Sequence, residues 1–219
     1  RYFTDIIGEK SLHLQPPHAE EEAQEAFKKN FPALINEAST AAKKSGLPLQ
    51  VMLEDEARFG RITDPKRCWG PLGIRPRVNQ QIIPEYTYAY GAGSAVDGAS
   101  DFLILPCMSA DGMNLFLSEL SYKYRDKFIL LISDGAPSHS EGRLKIPHNM
   151  MLASLPAYSP QLNPVENIWQ EIREKSFRNL TFDSMDQLEM HLAPALMKLE
   201  NDPQTVQSIA GFQWIISSL

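Results

Sequence analysis

The sequence predicts an α/β fold, a mixed sheet in which antiparallel hairpin strands lie beside parallel ones with helices on both faces. Three observations predict it. Lys127 to Ser133 (KFILLIS) is a nearly continuous apolar run of strand length, as a strand covered on both faces requires. Apolar residues recur at helical spacing before it, at Leu115, Phe116, Leu120 and Tyr124, and again in two segments after it. Between residues 86 and 105, an alternating stretch, an Asp97-Gly98 turn signal and the run DFLIL read as a hairpin.

Taken in order, residues 1–18, with paired Pro16-Pro17 and no clear period, read as an arm or linker. Residues 19–48 form an N-terminal helical segment. Its helix, Ala19 to Lys44, is expected to break near Pro32, because the residue before a proline is pushed from helical angles. Gly46 and Pro48 end it. Leu49 to Glu54 is a short apolar strand ending in acids, followed by a basic, loop-rich segment, GRITDPKRCWGPLGIRPR. Gln80 to Ala99 suits one or two strands. After KFILLIS come a polar turn and a short helix, a strand candidate at Met150 to Leu155, and helices at Asn163 to Phe177 and Ser184 to Glu200. Residues 49–180 thus form the core, and 181–219 a C-terminal helical segment packing on it, in which Phe212, Trp214, Ile215 and Ile216 serve packing or a partner contact.

Composition excludes several classes. With 219 residues, 43% hydrophobic and 22% charged, the chain can bury a sizeable core, and no apolar run approaches the ~18 residues of a membrane span. The opening RYFTDIIGEK lacks the basic start and apolar stretch of a secretory leader. Cys68 and Cys107 lie 39 positions apart without metal-ligand spacing and read as buried thiols in a reducing, cytoplasmic compartment. The histidines are scattered. A net charge of -6 argues against a chain that coats nucleic acid over its whole surface. The charge is uneven, however. Arg58, Arg61, Lys66, Arg67, Arg75 and Arg77 face the single acid Asp64, whereas Glu20, Glu21, Glu22 and Glu25 form a solvated helix face.

Three acidic segments invite chemistry. Glu54-Asp55-Glu56 ends the first strand, and alternation aims Asp55 opposite to its neighbours, so only one face can address a shared ion. Asp134 follows the buried strand directly, where packing has little use for a carboxylate, although an Asp-Gly turn explains it equally well. In SPQLNPVENIW, Asn163 suits a helix cap, Pro164 the first helical position and Glu166 the third position of a capping box. Together, two strand-end aspartates and a helix-start glutamate are expected to converge at one edge of a sheet. Such carboxylates repel one another unless they hold a hard cation such as Mg²⁺.

LEDEARFG, CWGPLG, LLISDGAPSH and LPAYSPQLNPVENIW, in that order, resemble the DDE transposases of the Tc/mariner superfamily, in its bacterial insertion-sequence branch. The match runs from about Leu49 to Glu174. The resemblance implies an RNase H-like fold related to retroviral integrases. It also implies a Mg²⁺- or Mn²⁺-dependent endonuclease and strand transferase with two ions in the active complex, acting on element ends and target DNA without a small-molecule cofactor or a membrane. It carries the catalytic, metal-holding triad onto Asp55, Asp134 and Glu166, and it implies a homodimer on paired ends. Two departures stand out. Gly135 stands where the family commonly has Asn, and 31 residues separate Asp134 from Glu166, a short interval for the superfamily. No helix-turn-helix module is evident in residues 1–48.

Among other residues, His139 matches the histidine of the second motif and, with Asn163, is assigned a supporting role. The basic set from Arg58 to Arg77 is the expected DNA-contacting surface, since phosphate contacts need accessible cations near the acids. Trp69, inside that segment, is expected to anchor the loop in the core. Two other functions fit the same residues, a nuclease of this fold without strand transfer and a non-catalytic DNA-binding remnant.

Overall fold

The computed structural model describes residues 21–73, 76–134 and 144–219. The short helix expected between the polar turn and Met150, and His139 with it, lie outside the described residues, as do Arg75 and the arm at 1–18. Five strands, β1 (Leu49–Ile62), β2 (Ile82–Gly93), β3 (Ser100–Leu105), β4 (Phe128–Ser133) and β5 (Met150–Ser154), form one sheet in the order β3-β2-β1-β4-β5. β1–β2 and β2–β3 pair antiparallel, whereas β1–β4 and β4–β5 pair parallel. This is the mixed sheet of an RNase H-like fold.

Alternation along β1 sorts its side chains between two cores. Val51, Leu53, Ala57 and Phe59 join a cluster with α1 (Glu21–Ser45), α3 (Val165–Ser176), α4 (Met185–Glu200) and α5 (Pro203–Ala210). Met52 joins the opposite cluster with Met113, Phe116, Leu117 and Leu120 of α2 (Ala110–Lys123). Every residue of β4 is buried, as its apolar run requires. A further helix, α6 (Gln213–Ile216), follows α5, and Trp214 at its start packs edge-on against Phe27 and Phe31 of α1.

Four expectations need correction. The first strand does not end at the acids. It runs on to Ile62, because β2 supplies an antiparallel partner for its second half, from Glu54↔Ala92 to Gly60↔Tyr86. The first helix is not broken at Pro32. Losing one intrahelical hydrogen bond there is offset by Phe31, Ile35, Ala38 and Ala42, a single buried stripe that continues across the proline. Cys68 and Cys107 are exposed, since both sit outside the strands and helices. Trp69 is 99% exposed, on a loop that projects from the β1–β2 hairpin with no core within reach.

Candidate active site

The sheet's topology creates the site. Parallel pairing of β1 with β4 stops at Leu53↔Ile132, and β4 itself stops at Ser133, while β1 continues. Two further steps along each strand bring Asp55 and Asp134 level with one another at the point where the strands part. Asp55 lies on the α3 face, two positions beyond Leu53. Glu166 approaches from the first turn of α3. Asp55, Asp134 and Glu166 line one cavity of about 480 Å³, walled otherwise by the loop from Leu155 to Pro160. Tyr158 in that wall adopts a left-handed backbone conformation, φ 55°, a strained choice for a non-glycine residue.

Asn163 ties the helix start to the sheet. Its Oδ1 accepts from the Val165 N–H at 3.1 Å, and its Nδ2 donates to the Glu54 carbonyl of β1 at 2.8 Å. The helix is therefore capped from Asn163, one residue before its formal N-cap at Pro164. Glu166 faces the cavity, where it senses Asp134 and Arg173.

Two positions that the sequence reading missed hold Asp55. Trp169 Nε1–H donates to Asp55 Oδ2 at 2.9 Å in a fully buried contact. Trp169 stands three residues after Glu166, on the same helical face, a spacing that points to it in retrospect. Gly91 is paired with Asp55 across the hairpin, and a Cβ there would lie 2.5 Å from the Trp169 ring. Only glycine leaves room for the indole.

The electrostatics are those of crowded acids. The Asp55 carboxyl is pushed up to about 8, first by burial, then by Glu166, Asp134 and Glu56, with the Trp169 N–H pulling it back. Glu166 is raised by burial, offset by Arg173 and reinforced by Asp134. Glu54, on the other face, is raised well above the usual carboxylate range by burial and by Glu56, Asp55 and Asp134. Among the described residues, no three His, Cys, Asp or Glu side chains are gathered into a group that could hold an ion as they stand. The triad thus shares a cavity and a field without being drawn together. Oxygen donors crowded so that Asp55 and Glu166 are both raised fit a hard divalent cation, which would relieve the repulsion.

The predicted basic residues scatter. Arg58 is exposed and lies over the Tyr86 ring, 4.3 Å from its centroid. Arg61 is consumed internally, by the Phe182 carbonyl at 2.9 Å, the Asp183 carbonyl at 2.8 Å and Glu85 at 2.5 Å. Lys66 pairs with Asp64 at 2.5 Å, and Arg67 and Arg77 are exposed on the loop.

A family model for the DDE superfamily endonuclease matches residues 50–189, from β1 into α4. The chain belongs to the DDE superfamily of endonucleases. It is 35% identical over 130 residues to the uncharacterized protein y4pE/y4sA of Sinorhizobium fredii (strain NBRC 101917 / NGR234), across 59% of this chain and 96% of that protein. Among solved structures it is similar to Mos1 transposase in a pre-cleavage transpososome, with TM-score 0.59, 16% identity and 92% of this chain covered. It is similar also to the Mos1 mariner paired-end complex with Mn, with TM-score 0.58, 14% identity and 93% covered. At such identities the likeness is one of fold. The chain spans 64% of the length of either Mos1 chain. No helix among the described residues is long and apolar enough to cross a membrane.

Proposed function

We propose that this DDE endonuclease domain is the catalytic core of a transposase, which cleaves DNA at the ends of a mobile element and joins them to target DNA. The observation that carries the reading is the common cavity of Asp55, Asp134 and Glu166, three carboxylates from β1, the end of β4 and the start of α3. These three would hold Mg²⁺ or Mn²⁺, which when bound supply Lewis-acid activation of the attacking oxygen and stabilisation of the leaving one. Trp169 N–H fixes the orientation of Asp55, and Asn163 fixes the distance between α3 and β1. Asp55, whose carboxyl is pushed up to about 8, would have to release its proton to hold a cation near neutral pH. Its fold-mates, described as Mos1 paired-end complexes with Mn and with Mg, support a DNA substrate, divalent ions and paired ends. The relative in Sinorhizobium fredii supports a bacterial host, in whose cytoplasm the action on DNA would take place.

The test is incubation with Mn²⁺, a precut duplex bearing the encoding element's own ends with free 3′-hydroxyls, and a supercoiled plasmid. A transposase joins duplex to plasmid, and Asp134→Asn does not. Plasmid nicking without joining indicates a nuclease lacking strand transfer. No metal-dependent difference between wild type and Asp134→Asn indicates a non-catalytic remnant.

A further inference from the structure

A second cavity, of about 240 Å³, opens where β1 meets the end of α3. Its walls carry Arg58, Lys66, Arg173 and Arg178, and the one carboxylate among its described lining residues, Asp64, is engaged with Lys66 at 2.5 Å. The acid cavity has the reverse character, three carboxylates and no cation among its lining residues. We propose that the cationic cavity is a subsite for a backbone phosphate of the DNA strand, a few nucleotides from the bond that the acid centre addresses. The proposal rests on the DNA-cleaving function set out above.

Three observations support it. Arg173 stands seven residues after Glu166, two helical turns along the same face, or about 10 Å at 1.5 Å per residue. That distance is roughly three steps of a strand rising 3.4 Å per nucleotide. The guanidinium lies over the Phe59 ring, 5.3 Å from its centroid, so the side chain is held against the wall of the basic cavity before any ligand arrives. It senses both Glu166 and Asp55, and so belongs electrostatically to the acid cavity while lining the basic one. Because Arg173 covers the Phe59 ring, that ring is not offered for base stacking, and the group recognised is the charged phosphate. A polyanionic strand approaching three carboxylates meets repulsion, which adjacent cations offset. Arg61 takes no part, since it does not line this cavity and donates instead to the Phe182 and Asp183 carbonyls and Glu85.

The test reads DNA affinity against salt in metal-free buffer, by fluorescence anisotropy of a labelled short duplex with a 3′-hydroxyl end. The variants are Arg173→Gln, Arg178→Gln and Arg173→Lys. Arg125→Gln is the control, exposed at the far end of α2 and stacked on Tyr122 at 5.3 Å. Each Gln variant in the cavity is expected to bind severalfold more weakly and to lower the slope of log K against log salt by about 0.9, one phosphate contact. Arg173→Lys keeps the slope, and Arg125→Gln is unchanged. An unaltered slope in both cavity variants, or an equal drop in Arg125→Gln, overturns the subsite. Because the readout needs neither metal nor cleavage, its failure is separable from failure of the function above. Wild type that binds with the expected slope yet never cleaves leaves the subsite standing, whereas wild type that does not bind DNA overturns both.

Discussion

Glu54 and Asp55 are adjacent carboxylates in one strand, yet they belong to two different regions of the molecule. Asp55 points to the α3 face, 8% exposed, opens into the acid cavity and is gripped by the Trp169 indole. Glu54 points to the α2 face, fully buried, beside Met52 in a layer otherwise built from Tyr90, Ala92, Met113 and Phe116. Burial raises both. Only Asp55 has other acids sharing a cavity wall with it and an opening through which an ion can arrive. The difference teaches that an acid's chemistry here is decided by which side of the pleat it occupies, not by its place in an acidic run.

Neutralising one residue of each kind is the sharpest way to break the comparison. Asp55→Asn or Asp134→Asn is expected to cut metal-dependent DNA nicking by about a thousandfold or more, about 4 kcal/mol of barrier. Glu54→Gln, at a buried position on the opposite face from the acid cavity, is expected to stay within about threefold of wild type. A comparable loss in Glu54→Gln, measured by plasmid nicking, erases the distinction.

The next effect is on stability. Folding raises Asp55 from 3.8 to about 8, so the stability it contributes is whole below pH 3.8 and is lost as pH climbs through about 8. The melting temperature of the metal-free protein should therefore fall across that window, and Asp55→Asn should flatten the fall. Mn²⁺ at a hundredfold excess over its Kd should contribute about 2.7 kcal/mol at pH 8, and less at pH 5, where a proton must first be displaced. Equal gains at the two pH values, in thermal melts, would place the ion away from Asp55.

Smaller effects probe the support behind Asp55. Gly91→Ala drives a Cβ into the Trp169 ring and should cost about 1–3 kcal/mol in urea unfolding. Trp169→Phe removes the indole donor and should cost about 1 kcal/mol. It also frees Asp55 to titrate higher, so the acid limb of the nicking rate should move to higher pH. An unmoved limb would mean that the indole serves packing alone.

Much of this architecture was legible in the residues. KFILLIS read as a doubly covered strand and is one, and the hairpin announced itself at Asp97-Gly98, whereas the acids had local structural explanations and were singled out together by the four motifs of the family resemblance. What was not legible depended on partners remote in sequence. The second half of β1 contains Gly60 and Arg61 and looks like loop until β2 is laid beside it. Arg61 looks like a phosphate ligand until Phe182 and Asp183 claim it. Trp69 looks like a core residue until the hairpin carries it into solvent. Trp169 was read only as part of a motif, since its bond to Asp55 spans 114 positions. The helix α5 has too few apolar residues for its period to stand out, although Asp202 caps it through the Thr205 N–H at 3.1 Å.

At the far end of the β1–β2 hairpin, Thr63 and Gln81 clasp each other through a backbone bond of 2.9 Å and a side-chain bond of 2.8 Å, while Arg61 moors the strand beside them to the chain leading into α4. The segment beyond is held once more, where Asn179 and Arg178 bond the backbone at Lys66 and Arg67. A rewritten tip at Trp69 and Leu72 would therefore leave the carboxylates at the other end of the strand in position.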